Sequence, residues 1–259
     1  MYDSTITRVA TVVAAVFFVV GCARTAQNPS PAPDANAGMV SGGASSIGSG
    51  ELVATAGADS AGWRTLFDGK SLAAFRGYKV DSIPNGWHIV DGMLEKSGSV
   101  GDLVTRDKFG NFELSFDWRL GPGGNSGAMY RVTEEYDHPY WSGPEYQLLD
   151  DALHPDGKSR LTAAGSAYGL YPAPLGVVKP ANEWNSSLIV ITGNHVQHWM
   201  NGQKLLEYDL LSSDWETKVK ASKFGAWPHY GRAKTGYITF QGDHDGMLAL
   251  RNIKIRELK

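Results

Sequence analysis

Apolar and polar residues alternate without a break in Phe112-Glu113-Leu114-Ser115-Phe116-Asp117-Trp118-Arg119-Leu120. Successive side chains of a strand point to opposite faces, so this pattern predicts a strand with one face on a core and the other wet. Residues 187–192 are nearly all β-branched or apolar and suit a central strand; they lead through Gly193-Asn194 into His195–Met200. Asn201-Gly202 follows. Both central positions of a tight hairpin turn need positive φ, which Asn and Gly adopt most readily, so 203–208 is predicted as the return strand. Asp91-Gly92 marks a second hairpin within 86–96. Short strands are expected at Leu103-Val104, 128–133 and Glu145–Leu149, and two more at 236–241 and 247–258, around the turn Gly242-Asp243-His244-Asp245-Gly246. Only 213–222 has a composition compatible with a short helix. Many short strands, turn signals between them and little helix indicate an all-β fold. Roughly 200 residues with long loops favour a jelly-roll sandwich of two antiparallel sheets over a small barrel.

The N-terminus carries a different pattern. Arg8 precedes an apolar run over 9–20, then Gly21 and Cys22, the chain's one cysteine. A basic start, a short apolar stretch and a small residue ahead of the cut are the order of a secretory signal. The run is too short to span a bilayer, which takes about 20 apolar residues. Val19-Val20-Gly21-Cys22 resembles the lipobox of bacterial lipoproteins, in which the cysteine is lipidated on its sulfur and becomes the mature N-terminus; the acidic Asp3 departs from that pattern. A lone cysteine has no partner for an internal disulfide. Beyond it, Ala, Gly, Ser, Pro, Asn and Asp dominate, and such a segment cannot bury enough apolar surface to offset its ordering entropy. The expected organisation is a signal peptide over 1–21, a disordered tether over 22–62 and one folded domain over 63–259. The expected location is the bacterial cell envelope, periplasmic or at the surface, with the membrane as a partner through the lipid.

Charge and composition then narrow the partners. The formal net charge is −3, without the basic field that nucleic acid requires, so no nucleic-acid partner is expected. All eight tryptophans lie within 63–259, ample material for one core.

Candidate chemistry clusters in three places. The loop Gly121-Pro122-Gly123-Gly124-Asn125-Ser126-Gly127 lets backbone approach a ligand closely. It lacks the Lys-Ser/Thr ending and following helix of a phosphate loop. The second place is Gly143-Pro144-Glu145-Tyr146-Gln147-Leu148-Leu149-Asp150. As a strand it sets Glu145, Gln147 and Leu149 on one face, where the glutamate and glutamine suit sugar hydroxyls and Glu145 suits general acid or base work. Trp199 lies between Gln197 and Asn201 at alternate positions, an arrangement fit for stacking on a pyranose and equally fit for a core tryptophan. The histidines are scattered, with no His-x-x-x-His or Glu-x-x-His pair to announce a metal. Ordinary glycosidases need two carboxylates about the scissile bond, and no Glu-x-Asp-x-Glu strand is present.

Taken in order, Trp63…Leu66-Phe67-Asp68-Gly69-Lys70-Ser71-Leu72, Gly124-Asn125-Ser126-Gly127 with Arg131, Gly143 to Asp150, and Gly236-Tyr237-Ile238…Gln241-Gly242-Asp243-His244…Leu250-Arg251-Asn252-Ile253-Lys254-Ile255 resemble the 3-keto-disaccharide hydrolase family over essentially the whole domain. The resemblance implies a concanavalin A-like jelly roll and cleavage of glycosides already oxidised at C3. A 3-keto group acidifies the C2 proton, so one base and one stabiliser of the enediolate suffice for elimination of the C1 substituent, and water adds afterwards. By position the resemblance implies Arg131, Glu145 and His244 as catalytic residues, Arg131 holding oxyanion charge and Glu145 or His244 acting as base. Asn125, Ser126, Gln147, Asp150, Trp199 and Gln241 are the expected sugar-binding residues. A divalent metal on the carbonyl is a variant of this chemistry that the sequence neither requires nor excludes. The alternative on the same fold is a non-catalytic, lectin-like carbohydrate-binding surface lipoprotein, and the two readings divide on whether Arg131, Glu145 and His244 share one pocket.

Overall fold

The computed structural model describes residues 58–259. The expected signal sequence, Cys22 and the tether up to residue 57 lie outside the described residues. The first feature is a turn in which Asp59 Oδ1 accepts from the backbone N–H groups of Ala61 and Trp63, both at 2.9 Å. This turn precedes Trp63, the expected start of the folded domain.

Thirteen strands and one α-helix follow among the described residues: β1 (Trp63–Phe67), β2 (Phe75–Gly77), β3 (Trp87–Val90), β4 (Met93–Lys96), β5 (Leu103–Thr105), β6 (Phe112–Leu120), β7 (Asn125–Val132), β8 (Glu145–Leu149), β9 (Asn185–Thr192), β10 (His195–Met200), β11 (Gln203–Asp209), α1 (Ser213–Ala221), β12 (Tyr237–Phe240) and β13 (Leu248–Glu257). They form two antiparallel sheets. The larger runs β11-β10-β9-β6-β13-β4-β3, and β1 pairs with the far half of β13 beyond β4. The smaller runs β2-β5-β12-β7-β8. This is the expected jelly-roll sandwich.

The alternation read in β6 is what joins the sheets. Phe112, Leu114, Phe116, Trp118 and Leu120 are all buried, while Glu113, Ser115, Asp117 and Arg119 lie on the outer face. Phe116 meets Phe240 of β12 edge-on at 5.3 Å and Tyr146 of β8 at 6.2 Å, across the sandwich. Each such side chain contributes about 1.5–3 kcal/mol by leaving water. Several polar groups in the core are paired, whereas Trp215 Nε1 has no partner among the described residues. Trp118 Nε1 donates to Ser187 Oγ, which donates to the Tyr146 hydroxyl. His198 is fully buried between Tyr130 and the Gly165 carbonyl, and burial pushes its pKa down to about 4, so it is neutral.

Both hairpin turns have the expected geometry, with φ of 49° and 75° at Asp91-Gly92 and 51° and 81° at Asn201-Gly202. The glycine-rich loop is shorter than expected: Gly121–Gly124 closes a turn by a backbone bond of 3.0 Å, and Asn125 already belongs to β7. The edge of β8 does not lie open. Gly165 and Tyr168 donate to the carbonyls of Gln147 and Glu145, and Gln147 donates to that of Ser166. A covered edge cannot template pairing with another chain.

Candidate active site

On β8, Tyr146 and Leu148 enter the core, so Glu145 and Gln147 face the outer side of the smaller sheet. Asn125 on β7 faces the same way. Between them stands Gly127, opposite Gln147. A Cβ there would lie 1.9 Å from Glu145 Oε1, so the missing side chain is what makes room for the carboxyl. Loops close over this floor. The result is a cavity of about 330 Å³ lined by Asn125, Tyr140, Glu145, Gln147, His154, Asp156, Tyr168, Lys223, Gln241, Asp243 and His244. That volume is at the small end of small-molecule pockets.

Glu145 is 7 % exposed and forms no ion pair among the described residues. Burial raises its pKa to about 8, opposed by the Lys223 charge and reinforced by Asp243, Asp102 and Asp156. Its neighbour Gln147 has two amide settings. One donates to Asn125 Oδ1 at 3.2 Å. The other donates to Glu145 Oε1 at 3.3 Å and to the Ser126 carbonyl at 3.1 Å, and it is the better one because it points the amide nitrogen at acceptors. The Asp156 N–H donates to His154 Nδ1, which leaves Nε2 as the protonated nitrogen of a neutral ring. The Tyr168 hydroxyl donates to Asp156 Oδ2 at 3.0 Å. Gln241 Oε1 is buried without a protein partner, an acceptor in search of a donor.

The turn carrying His244 is held from beneath. Buried Lys96 donates to the carbonyls of His244 and Gly98, Asp102 accepts from the Gly242 N–H at 2.8 Å, and Ser99 donates to the Asp243 carbonyl. Gly242 is obligatory, since a Cβ would lie 2.5 Å from the Gly101 carbonyl oxygen. Burial is the first cause of the Asp102 pKa rising to about 6 and of the Lys96 and His244 pKa values falling. No group of three or more His, Cys, Asp or Glu among the described residues is set to hold a metal ion.

Of the residues expected from sequence, Asn125, Glu145, Gln147, Gln241 and His244 come together here. Arg131 does not. It is 3 % exposed, and its guanidinium donates to the Gly110 carbonyl twice, at 3.0 and 3.2 Å, and to the Gly193 carbonyl at 2.7 Å. The cause is a bulge: Val132 pairs with Tyr237 and Met129 with Thr239, and Arg131 has a φ of +52°. The extra residue breaks the alternation that would have put Arg131 on the face of Asn125 and Gly127. Trp199 is also elsewhere, on the larger sheet with Nε1 donating to Gln197 Oε1, because its neighbour His198 takes the inward position. Ser126 is buried with its hydroxyl on the Gln241 carbonyl, and Asp150 accepts from the Gly123 and Ala152 N–H groups. Both are framework for the floor. Tyr140, His154, Asp156, Tyr168 and Lys223 were not legible. They arrive on covering loops, where no periodicity marks which face a residue takes.

A polar cavity on the outer face of a jelly-roll sheet, with a buried carboxylic acid, amides and aromatic rings, defines a carbohydrate-active enzyme. The chain belongs to the family of 3-keto-alpha-glucoside-1,2-lyase-like domains, whose model matches residues 62–256. It is 35 % identical over 232 residues to a 3-keto-disaccharide hydrolase of Bacteroides thetaiotaomicron, covering 77 % of this chain and 80 % of that protein. A solved structure of a proposed glycosyl hydrolase from Parabacteroides distasonis is 34 % identical with a TM-score of 0.72, covering 77 % of this chain and 95 % of its own. A second from the same organism is 29 % identical with a TM-score of 0.59, covering 76 % and 99 %. The chain is thus a glycoside hydrolase.

Proposed function

We propose that this enzyme cleaves glycosides already oxidised at C3, by base-catalysed elimination and then hydration, with Glu145 as the base. The observation that carries the reading is β8 itself. A direct glycosidase needs a pair of acids, whereas the outward positions of this strand give one, Glu145, and of the other cavity carboxylates Asp243 is exposed and Asp156 already accepts from the Tyr168 hydroxyl. A single buried acid with a pKa near 8 is a stronger base than an ordinary carboxylate and suits removal of a proton next to a ketone.

The atoms balance as follows. Glu145 takes the C2 proton, the C2–H electron pair becomes the C2–C3 double bond, and the C3 oxygen gains the charge. Collapse restores the C3 carbonyl, forms the C1–C2 double bond and expels the C1 oxygen with its electron pair. That oxygen is protonated by the Glu145 acid or by water, and water then adds across C1–C2. Amides at Asn125, Gln147 and Gln241 suit sugar hydroxyls, and Tyr140 and Tyr168 suit the apolar face of a pyranose.

The test is incubation with 3-keto-trehalose beside unoxidised trehalose in D₂O. Release of the second sugar from the ketone alone, with deuterium entering at C2 of residual substrate or product, is the expected result. Comparable cleavage of trehalose without C2 exchange would refute the mechanism, and binding without turnover would support a lectin-like role.

The same proposal includes export and a lipid on Cys22, supported by the lipobox-like Val19-Val20-Gly21-Cys22. Cys22→Ser is expected to move the protein from the membrane fraction to the soluble fraction with an unchanged thermal midpoint. A variant that still sediments with membranes would count against the anchor.

A further inference from the structure

We propose that Lys223 holds the negative charge of the enediolate, the task that sequence position suggested for Arg131; this rests on the elimination reading above. Elimination leaves charge on the C3 oxygen, and a pocket built for it needs a fixed cation or donors aimed there. Arg131 is committed to the carbonyls of Gly110 and Gly193 and does not line the cavity. His154 lines it with Nδ1 already accepting from the Asp156 N–H, and burial lowers the His244 pKa, away from the charged form. Lys223 is the one lysine or arginine in that lining.

Its ammonium is also uncommitted. Glu145, Asp156 and Asp243 line the same cavity, yet Lys223 forms no ion pair among the described residues. Aromatic faces hold it instead: Nζ lies 4.5 Å from the Tyr168 ring centroid, 5.2 Å from Phe224 and 6.0 Å from Tyr140. Ring faces favour a cation without neutralising it, so the charge stays available to a ligand.

The supporting backbone is rigid. Lys223 opens the 3-10 turn Lys223–Ala226, where Ser222 Oγ accepts from the Phe224 N–H and donates to the Val219 carbonyl. Tyr140 lies in the 3-10 turn Pro139–Trp141. The residues that end or follow these turns, Trp141 and Trp227, stack at 5.0 Å with planes 16° apart. One stacked pair therefore ties the turn carrying Lys223 to the turn carrying Tyr140.

An ammonium can polarise the C3 carbonyl, accept the charge of the enediolate and return it unchanged, with no bond formed to the enzyme.

The test uses the whole protein and 3-keto-trehalose. Lys223→Met is expected to lower kcat on the order of 10²–10³-fold, to slow C2 deuterium exchange equally, and to leave the thermal midpoint within a few degrees. Lys223→Arg is expected to recover part of the rate. The acid limb of kcat/KM is expected to move to higher pH in Lys223→Met. Of the charges that act on Glu145, Lys223 favours its ionised form, whereas Asp243, Asp102 and Asp156 oppose it. A merely structural role would not move that limb. Wild-type kcat in Lys223→Met would overturn this assignment alone, as would a Lys223–sugar adduct trapped by cyanoborohydride. A wild-type protein inert to 3-keto-trehalose would overturn the elimination reading and this assignment with it.

Discussion

Glu145→Gln is expected to abolish turnover while making the protein more stable at alkaline pH. The folded protein holds the Glu145 proton up to about pH 8, against a model value of 4.5 for the free side chain. Between these values the unfolded chain has lost the proton and the folded chain keeps it, so stability falls as pH rises from 4.5 to 8 and is level beyond. At about 1.4 kcal/mol per unit, the full difference is on the order of 5 kcal/mol for so buried a group. Glutamine stays neutral and lacks this fall. Thermal unfolding at pH 5 should therefore give similar midpoints for the two proteins, and at pH 9 a higher midpoint for the variant. Turnover should drop on the order of 10²–10⁴-fold, the range for losing a general base. In the wild type, kcat/KM should rise with pH towards a plateau above about 8, since the base acts ionised. A variant less stable than wild type at pH 9, or one that retains turnover, would mean that Glu145 is not a strained buried base.

Arg131→Met is expected to show the converse, a large loss of stability with turnover retained. It removes three hydrogen bonds and leaves the Gly110 and Gly193 carbonyls without their guanidinium. Gly110 is half-buried and Gly193 exposed, so water reaches these acceptors in part and the loss is on the order of 1–3 kcal/mol, a fall in midpoint of roughly 3–10 °C for a domain of this size. Measured well below that midpoint, kcat should lie within a few-fold of wild type. A hundredfold loss of kcat at an unchanged midpoint would return Arg131 to the chemistry.

These two residues also mark how far the sequence could be read. Glu145 was legible because β8 follows strict alternation, and Tyr146 and Leu148 declare the inward face. Arg131 was assigned by position from the family resemblance, and the bulge that adds one residue to β7 and turns its side chain away leaves no trace in the sequence. Trp199 was assigned the right strand and the right partners on its face, but alternation says nothing of which sheet a strand joins, and it stands away from the cavity. β1 escaped notice because Trp63-Arg64-Thr65-Leu66-Phe67 does not alternate, and β2 because three residues establish no period. Lys223 follows a short helix in sequence and meets Glu145 only through the folding of loops, a relation with no local signature. His244 was found through the whole ordered run of motifs, and its support by Lys96 and Asp102, far back in the chain, was not.

The cavity draws on two kinds of backbone. Asn125, Glu145 and Gln147 stand on hydrogen-bonded strands, whereas Tyr140, His154, Asp156, Tyr168 and Lys223 come from the segments laid over them. The acid and its amide neighbours are thereby insulated from changes of length in the covering segments outside 165–168, the stretch that is itself hydrogen-bonded to β8. Diversification in such an architecture is separable: replacing one covering segment reshapes what is admitted, while the reacting carboxyl keeps its place. Chimeras that exchange 152–163 with a relative's segment, leaving Asp150 and the β8-bonded 165–168 in place, are a direct route to altered sugar preference on an unchanged catalytic floor.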